Sequence, residues 1–335
     1  MDEMKILITG ATGFVGGHFM RNLSVIYGKE NVHGTGRNRE QSAILLAEGF
    51  TIKCGDLLDV DFVENHLNSY DVYVHCAAKS SIWGTYESFY QANVLATQNL
   101  LNSVPSKAQF IYISSANLYF SYSNRNSISE DDDLFLSNFY SKTKREAELL
   151  VLNHPNIDST VIRARAIVGI GDTVVFPRLI RAYNQGKLRV VGSGENEIDY
   201  TSINNLCSAV LLCIQKRSSA KDKIYNITNG DTIVLWNEIK WVLEGLGLKK
   251  RLKRIPYKLA YLLARFQELK TSEKASEPAM TCYGVAVLNY SINLNINKAK
   301  TELGYYPLES STQTLNDFVH WYKKQQIVLN EKAKA

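Results

Sequence analysis

The chain has 335 residues, with 38 lysines and arginines against 33 aspartates and glutamates, a net charge of +5. That length can bury a large core in two lobes or one enlarged domain, and near charge balance without a long basic block gives no footing for nucleic acid. No apolar run reaches the roughly 20 residues of a spanning helix, the start Met1-Asp2-Glu3-Met4 lacks the order of a leader peptide, and the five scattered cysteines lack metal-ligand spacing, so the expectation is a cytoplasmic protein with reduced thiols and no metal.

Residues 5–9 carry three consecutive branched apolar side chains, the pattern of a parallel strand buried on both faces. Gly10, Gly13 and Gly16 follow, and an apolar helix is predicted over 14–26. Strand, tight loop and helix in this order make an anion cradle. Gly10 takes the turn, Gly13 lets a pyrophosphate approach the backbone, and Gly16 lets the helix lie close to the sheet. The loop and first helical turn, Gly10, Thr12, Gly13, Phe14, Val15 and Gly16, are therefore the candidate dinucleotide contacts.

Further strands are predicted at 31–35, Thr51–Cys54, 72–76, 109–114 and 160–166, with helices at 86–101 and 140–152 between them. This alternation predicts an α/β fold with a doubly wound parallel sheet and helices on both faces, so that ligands lie beyond the carboxyl ends of the strands. After Gly171 the pattern loosens. The expected organisation is a Rossmann-type NAD(P)-binding domain over 1–171 and a smaller, mainly substrate-binding lobe over 172–330, with 224–227 a candidate to return to the sheet. A short helix is expected at 298–303, closed by Gly304 and Pro307, and a final amphipathic one at 312–325, with residues 331–335 fraying.

At the end of the second strand, Gly36 stands where a ribose-reading acid is expected, and Arg37 follows at once. A missing carboxylate removes repulsion and a guanidinium can clamp a 2′-phosphate, so NADP is favoured over NAD. Tyr140 and Lys144 lie four apart at the start of a helix, on one face. A free phenol titrates near pH 10, and a neighbouring ammonium lowers that value by favouring the phenolate. Upstream, Ser114 and Ser115 put hydroxyls at the carboxyl end of a central strand.

These motifs in this order resemble the extended branch of the short-chain dehydrogenase/reductase superfamily, which includes the NAD-dependent epimerase/dehydratase family. The resemblance implies Ser115, rather than Ser114, as the hydroxyl that polarises a carbonyl, Tyr140 as the proton carrier, and Lys144 as the group that also holds the nicotinamide ribose. It implies Asn93, in Ala92-Asn93-Val94, as a support for the lysine through water, Asp56 and Leu57 as adenine contacts, and Ala77, Ala78 and Lys79 as a cofactor-touching loop. Read locally, Asp56 is equally a turn or cap residue and Asn93 a helix-surface amide.

More finely, residues 77–94 and 176–205 resemble the 3β-hydroxysteroid dehydrogenase group and its bacterial relatives that reduce 2-alkyl-3-oxoalkanoates. Departures occur at Arg163-Ala164 and Gly169-Ile170-Gly171, beside the expected nicotinamide pocket, and in a later motif at Asn204-Asn205. Nucleotide-sugar dehydratases need an acid pair where Ala116-Asn117 stands, which leaves elimination unsupported. An epimerase with retained NAD and a non-catalytic NADP-binding sensor remain the rivals. The expected partner is a small apolar ketone or alcohol, and the resemblance implies a homodimer through two helices.

Trp83, Tyr119, Phe120 and Tyr122 are candidates to line the substrate pocket. The acidic run 130–133 reads as a solvated loop. Residues 255–269 form an apolar-rich helix behind the cluster Lys249-Lys250-Arg251-Leu252-Lys253-Arg254. It reads as the lid of the substrate lobe or as a peripheral contact with an anionic membrane, the lid being the commoner role.

Overall fold

The structure, a computed structural model, describes residues 4–332, with side chains described as far as residue 326. Among these, seven strands form one sheet: β1 (Ile6–Thr9), β2 (Val32–Gly36), β3 (Thr51–Cys54), β4 (Val72–His75), β5 (Gln109–Ser115), β6 (Asp158–Ala164) and β7 (Lys223–Ile227). Their order is β7-β6-β5-β4-β1-β2-β3, and every neighbouring pair is parallel. The candidate return strand thus completes one edge.

Alternate residues point to opposite faces, so each central strand feeds two cores. Ile6, Ile8, Ile111 and Ile113 pack with the helices Phe14–Tyr27 and Ile203–Gln215. Leu7, Tyr73, Phe110 and Tyr112 pack with the helix Phe139–Leu152 on the other side. The chain runs outward from β1 to β3, then returns to place β4 beside β1. That reversal opens a crevice at the carboxyl ends of β1 and β4, where a doubly wound sheet binds its ligand.

A third core gathers the helices Val175–Asn184, Leu235–Gly245 and Tyr257–Lys270 around Trp236 and Phe318. A small sheet, ordered Ile233–Val234, Glu197–Ile198, Ile292–Leu294, Arg125–Ile128, ties this region to the loop after β5. The last helix spans Ser311–Lys332, so residues 331 and 332 are helical where fraying was expected; 333–335 lie outside the described residues. All five cysteines are free. Among the described residues no helix is long and apolar enough to cross a membrane.

Two further expectations change. The helix predicted over 86–101 is interrupted: Tyr86–Tyr90 and Ala96–Ser103 are α-helical, and a wider π-type turn occupies Gln91–Leu95. Neither Gly nor Pro marks that turn, so apolar spacing could not reveal it. In the acidic run, 131–133 are exposed but Glu130 is buried, its Oε1 accepting from the Asn226 amide at 2.7 Å. A carboxylate bonded to a strand 96 residues away is invisible to a local charge pattern.

Candidate active site

Gly10 turns with φ +67°, and a Cβ there would stand 2.9 Å from the Ala77 amide, so the loop after β1 and the loop after β4 touch at the crevice. A Cβ at Gly16 would collide with the Gly10 carbonyl. Gly13 is the N-cap of the helix Phe14–Tyr27; no side chain caps it and no acid stands in the first turn. The first-turn amides, the positive end of the helix dipole, are thus left to an external anion. Phe14, Val15 and Ala78 line the adjoining cleft, as Cys76 does. These residues fit a dinucleotide pyrophosphate.

At the ends of β2 and β3, Arg37 is exposed and its Nη1 lies 3.2 Å from Asp56 Oδ2. Asp56 Oδ1 accepts from the Leu58 amide at 3.1 Å, so Asp56 both shapes the turn and faces the arginine. Leu57 is buried, and its carbonyl accepts from Asn99 at 3.0 Å. A Cβ at Gly36 would run into the Thr12 side chain. Glycine at this position is therefore a steric requirement: a side chain there would have to displace Thr12.

The helix Phe139–Leu152 opens on a capping box, Asn138 Oδ1 accepting from the Ser141 amide and Ser141 Oγ from the Asn138 amide, at 2.8 and 3.2 Å. This cap holds Tyr140 in the first turn over the end of β5. Lys144 is 2 % exposed, donates from Nζ to the Ile113 carbonyl at 2.7 Å, and sits 4.0 Å from the centroid of the Tyr112 ring. Burial lowers its pKa to about 7, with Glu148 and Cys76 pulling the other way. Burial raises the Tyr140 phenol, and a hydrogen bond with Ser115 draws it back down. Ser115 is thus a group that opposes the desolvation of the phenol.

The two serines separate cleanly. Ser114 Oγ donates to the buried Glu148 Oε1 at 2.5 Å, within a network where Glu148 holds Arg163 through two bonds of 3.0 and 2.9 Å. Ser115 faces Tyr140 and the cleft. Asn93 is not a surface amide but is 1 % exposed. Its Oδ1 accepts from the Lys79 amide at 2.7 Å and its Nδ2 donates to Thr143 Oγ1 at 3.0 Å. It therefore ties the loop after β4 to the helix carrying Tyr140 and Lys144. Lys79 turns its ammonium toward Ser88 Oγ, 2.7 Å away. Thr143 was not singled out from sequence; its position between Tyr140 and Lys144 was the available signal.

Ser115, Tyr140 and Lys144 converge on one cleft of about 990 Å³, walled by Ile82, Phe120, Ile198, Tyr283, Val285 and Leu288. Of the four aromatics expected there, only Phe120 lines it. Tyr119 lies behind the wall, accepting from Arg163 at 2.6 Å and donating to Asn226 at 3.0 Å. Tyr122 stands behind Phe120, ring centroids 5.2 Å apart, and the Trp83 indole donates to the Ser272 carbonyl at 3.3 Å. Tyr283, from the C-terminal third, fills the place given to them. Chemically, a phenol and a hydroxyl face a common point, a buried amine lies beneath, and an anion cradle lies beside them.

Residues 6–228 match the model of the NAD dependent epimerase/dehydratase family. An uncharacterized protein of Escherichia coli K-12, YbjS, is 30% identical over 96% of this chain and 98% of its own. A 2-alkyl-3-oxoalkanoate reductase of Stenotrophomonas maltophilia is 29% identical over 93% of this chain and 97% of its own. A mouse sterol-4-alpha-carboxylate 3-dehydrogenase, decarboxylating, is 27% identical over 95% and 92%. Among solved structures, the UDP-glucuronic acid 4-epimerase of Bacillus cereus in complex with NAD shares the fold, with a TM-score of 0.72 and 23% identity over 96% of this chain and 99% of that one.

Proposed function

The chain belongs to the NAD dependent epimerase/dehydratase family and is an NAD(P)-dependent enzyme acting on CH–OH groups; from that premise we propose that it is an NADP(H)-dependent reductase interconverting a ketone and a secondary alcohol on an apolar molecule. The observation that carries this reading is the meeting of Ser115, Tyr140 and Lys144 at the floor of a large, mostly apolar cleft. The relatives named as a 2-alkyl-3-oxoalkanoate reductase and a sterol dehydrogenase support a steroid-like or 3-oxoacyl-like substrate.

When bound, the dinucleotide supplies the hydride that reaches the carbonyl carbon. Ser115 donates to the carbonyl oxygen and stabilises the charge that develops there. Tyr140 gives that oxygen its proton, so that one hydride and one proton leave an alcohol and oxidised cofactor. Lys144 holds the nicotinamide ribose, and Asn93 positions the lysine's helix against the loop after β4 through Thr143 and Lys79. The uncapped helix end takes the pyrophosphate, and Arg37 exchanges Asp56 for the 2′-phosphate. Residues 172–330 serve mainly to wall the substrate.

The test is NADPH absorbance against a panel of 3-oxosteroids, 2-alkyl-3-oxo acids and simple ketones, with Tyr140→Phe as the blank. The wild type should oxidise NADPH, and the variant should lose about 10²–10⁴-fold of that rate, the usual contribution of a positioned proton donor. Full turnover by the variant would remove Tyr140 from the mechanism. Silence on every ketone, with a UDP-sugar response and NAD surviving purification, would favour the epimerase. Arg37→Ala should raise the KM for NADPH about tenfold and leave that for NADH nearly unchanged, as loss of one charge-assisted clamp worth roughly 1.5 kcal/mol requires.

A further inference from the structure

The helix Tyr257–Lys270 is built inside out for a surface helix. Its inward face carries the fully buried small residues Ala260 and Ala264, with Gln267 and Glu268 accepting from the Met280 and Cys282 amides at 3.1 and 2.8 Å. Its outward face carries the large ones: Leu259, Leu262, Leu263, Phe266 and Leu269 are 44 to 71 % exposed. Their spacing of three, four, seven and ten from Leu259 is that of one unbroken stripe, directed away from the protein. A stripe of this kind on a water-facing helix is unfavourable unless something covers it.

The charges around it say what does. Lys258 and Arg265 flank the stripe, Lys270 ends it, and all three are exposed. The preceding segment adds Lys249, Lys250, Arg251, Lys253 and Arg254, also exposed. The acid within 249–270 is Glu268, which is turned inward. This basic segment is fixed rather than trailing: the Lys250 amide donates to Tyr183 at 2.6 Å, and Arg254–Ile255 pairs in parallel with Val190–Val191. Self-pairing of the stripe would set cations against cations, whereas an anionic bilayer satisfies both the leucines and the lysines at once.

We propose that this helix and the basic segment before it dock the protein on an anionic lipid surface, with the apolar stripe inserted at the headgroup boundary. Leu263 of the stripe, with Gln267 and Ile255, also lines the cleft that holds Ser115 and Tyr140, so the docked helix is part of the cleft wall. The docking stands on its own geometry; that it delivers an apolar substrate rests on the reductase reading.

The experiment is cosedimentation of the full chain with vesicles of phosphatidylcholine alone and of phosphatidylcholine mixed with phosphatidylglycerol. Wild type should partition onto the mixed vesicles about tenfold or more above the neutral ones, and added salt should weaken it. Leu262→Glu with Phe266→Glu should reduce that partitioning at least about tenfold without moving the thermal midpoint, since both side chains face solvent. NADPH oxidation on a short, water-soluble ketone should be the same in both proteins, which keeps failure of docking distinct from failure of the reductase reading. Absence of wild-type binding to mixed vesicles, or unchanged binding by the double variant, would overturn the proposal. So would a wild-type dimer that the double variant converts to monomer in the absence of any vesicle binding, which would make a second copy the occupant.

Discussion

Ser114 and Ser115 are neighbours in the chain, and the pleat of β5 sends their hydroxyls to different tasks. Ser114 is one of the donors satisfying Glu148, a carboxylate with no exposed surface. Ser115 faces Tyr140. Ser115→Ala should therefore cut kcat by about 10²–10³, the effect of removing one donor to a developing oxyanion, while thermal stability stays near wild type. Ser114→Ala should do the reverse, holding kcat and costing about 1–3 kcal/mol for a buried acceptor deprived of a partner. Denaturant titration and steady-state kinetics on both variants decide it; equal effects of the two on kcat would collapse the distinction. In sequence it is the family resemblance that points to Ser115; strand parity with the position of Glu148 supplies the physical reason that two identical letters do not carry.

The elements that carry the site were legible where their signals are local. A buried apolar run, three glycines and an apolar helix specify one another within 26 residues, and the structure adds that Gly16 is required by contact with Gly10 itself. The helix around Asn93 was not legible in the same way. Asn93 lies buried in the wide turn at Gln91–Leu95, and the bonds it makes there cross 14 and 50 residues of chain. Asn93→Ala should remove the bridge between the loop after β4 and the helix Phe139–Leu152. The expected cost is about 1–3 kcal/mol in stability, with a fall in kcat larger than any rise in KM, because the lysine and tyrosine ride on the loosened helix. Thr143→Val, which deletes the acceptor of one of those bonds together with the hydroxyl's own donation to the Phe139 and Tyr140 carbonyls, should show the smaller version of the same split. A change confined to KM in either variant would mean that Asn93 acts on substrate rather than on the helix.

At the scale of the whole molecule, alternating strands and helices foretold the parallel sheet, because each βαβ unit is written in consecutive residues. The small sheet joining Arg125–Ile128 to Ile292–Leu294 was not foretold, since its partners are two-to-four-residue strands far apart in the chain. Lys144 is buried against β5, its ammonium on the Ile113 carbonyl and the Tyr112 ring, and this burial bears on global stability. Its folded pKa of about 7 lies below the 10.5 of an unfolded lysine. Between those two pH values the unfolded chain binds the proton that the folded protein releases, so this group makes stability rise with pH across that window. Below pH 7 both states are protonated and the full desolvation cost of a buried ammonium stands; above about 10.5 both are neutral and it has gone. Lys144→Met, which keeps the length of the side chain without the charge, should therefore be inactive yet more stable than wild type at pH 6, by an amount on the order of a few kcal/mol. That advantage should shrink steadily as pH is raised to 10, as followed by urea midpoints at constant m. An advantage that stays constant over that range would mean the lysine is as readily charged inside the fold as outside it, and that the ammonium beneath the Tyr140 phenol is secured by partners other than Glu148 and the Ile113 carbonyl.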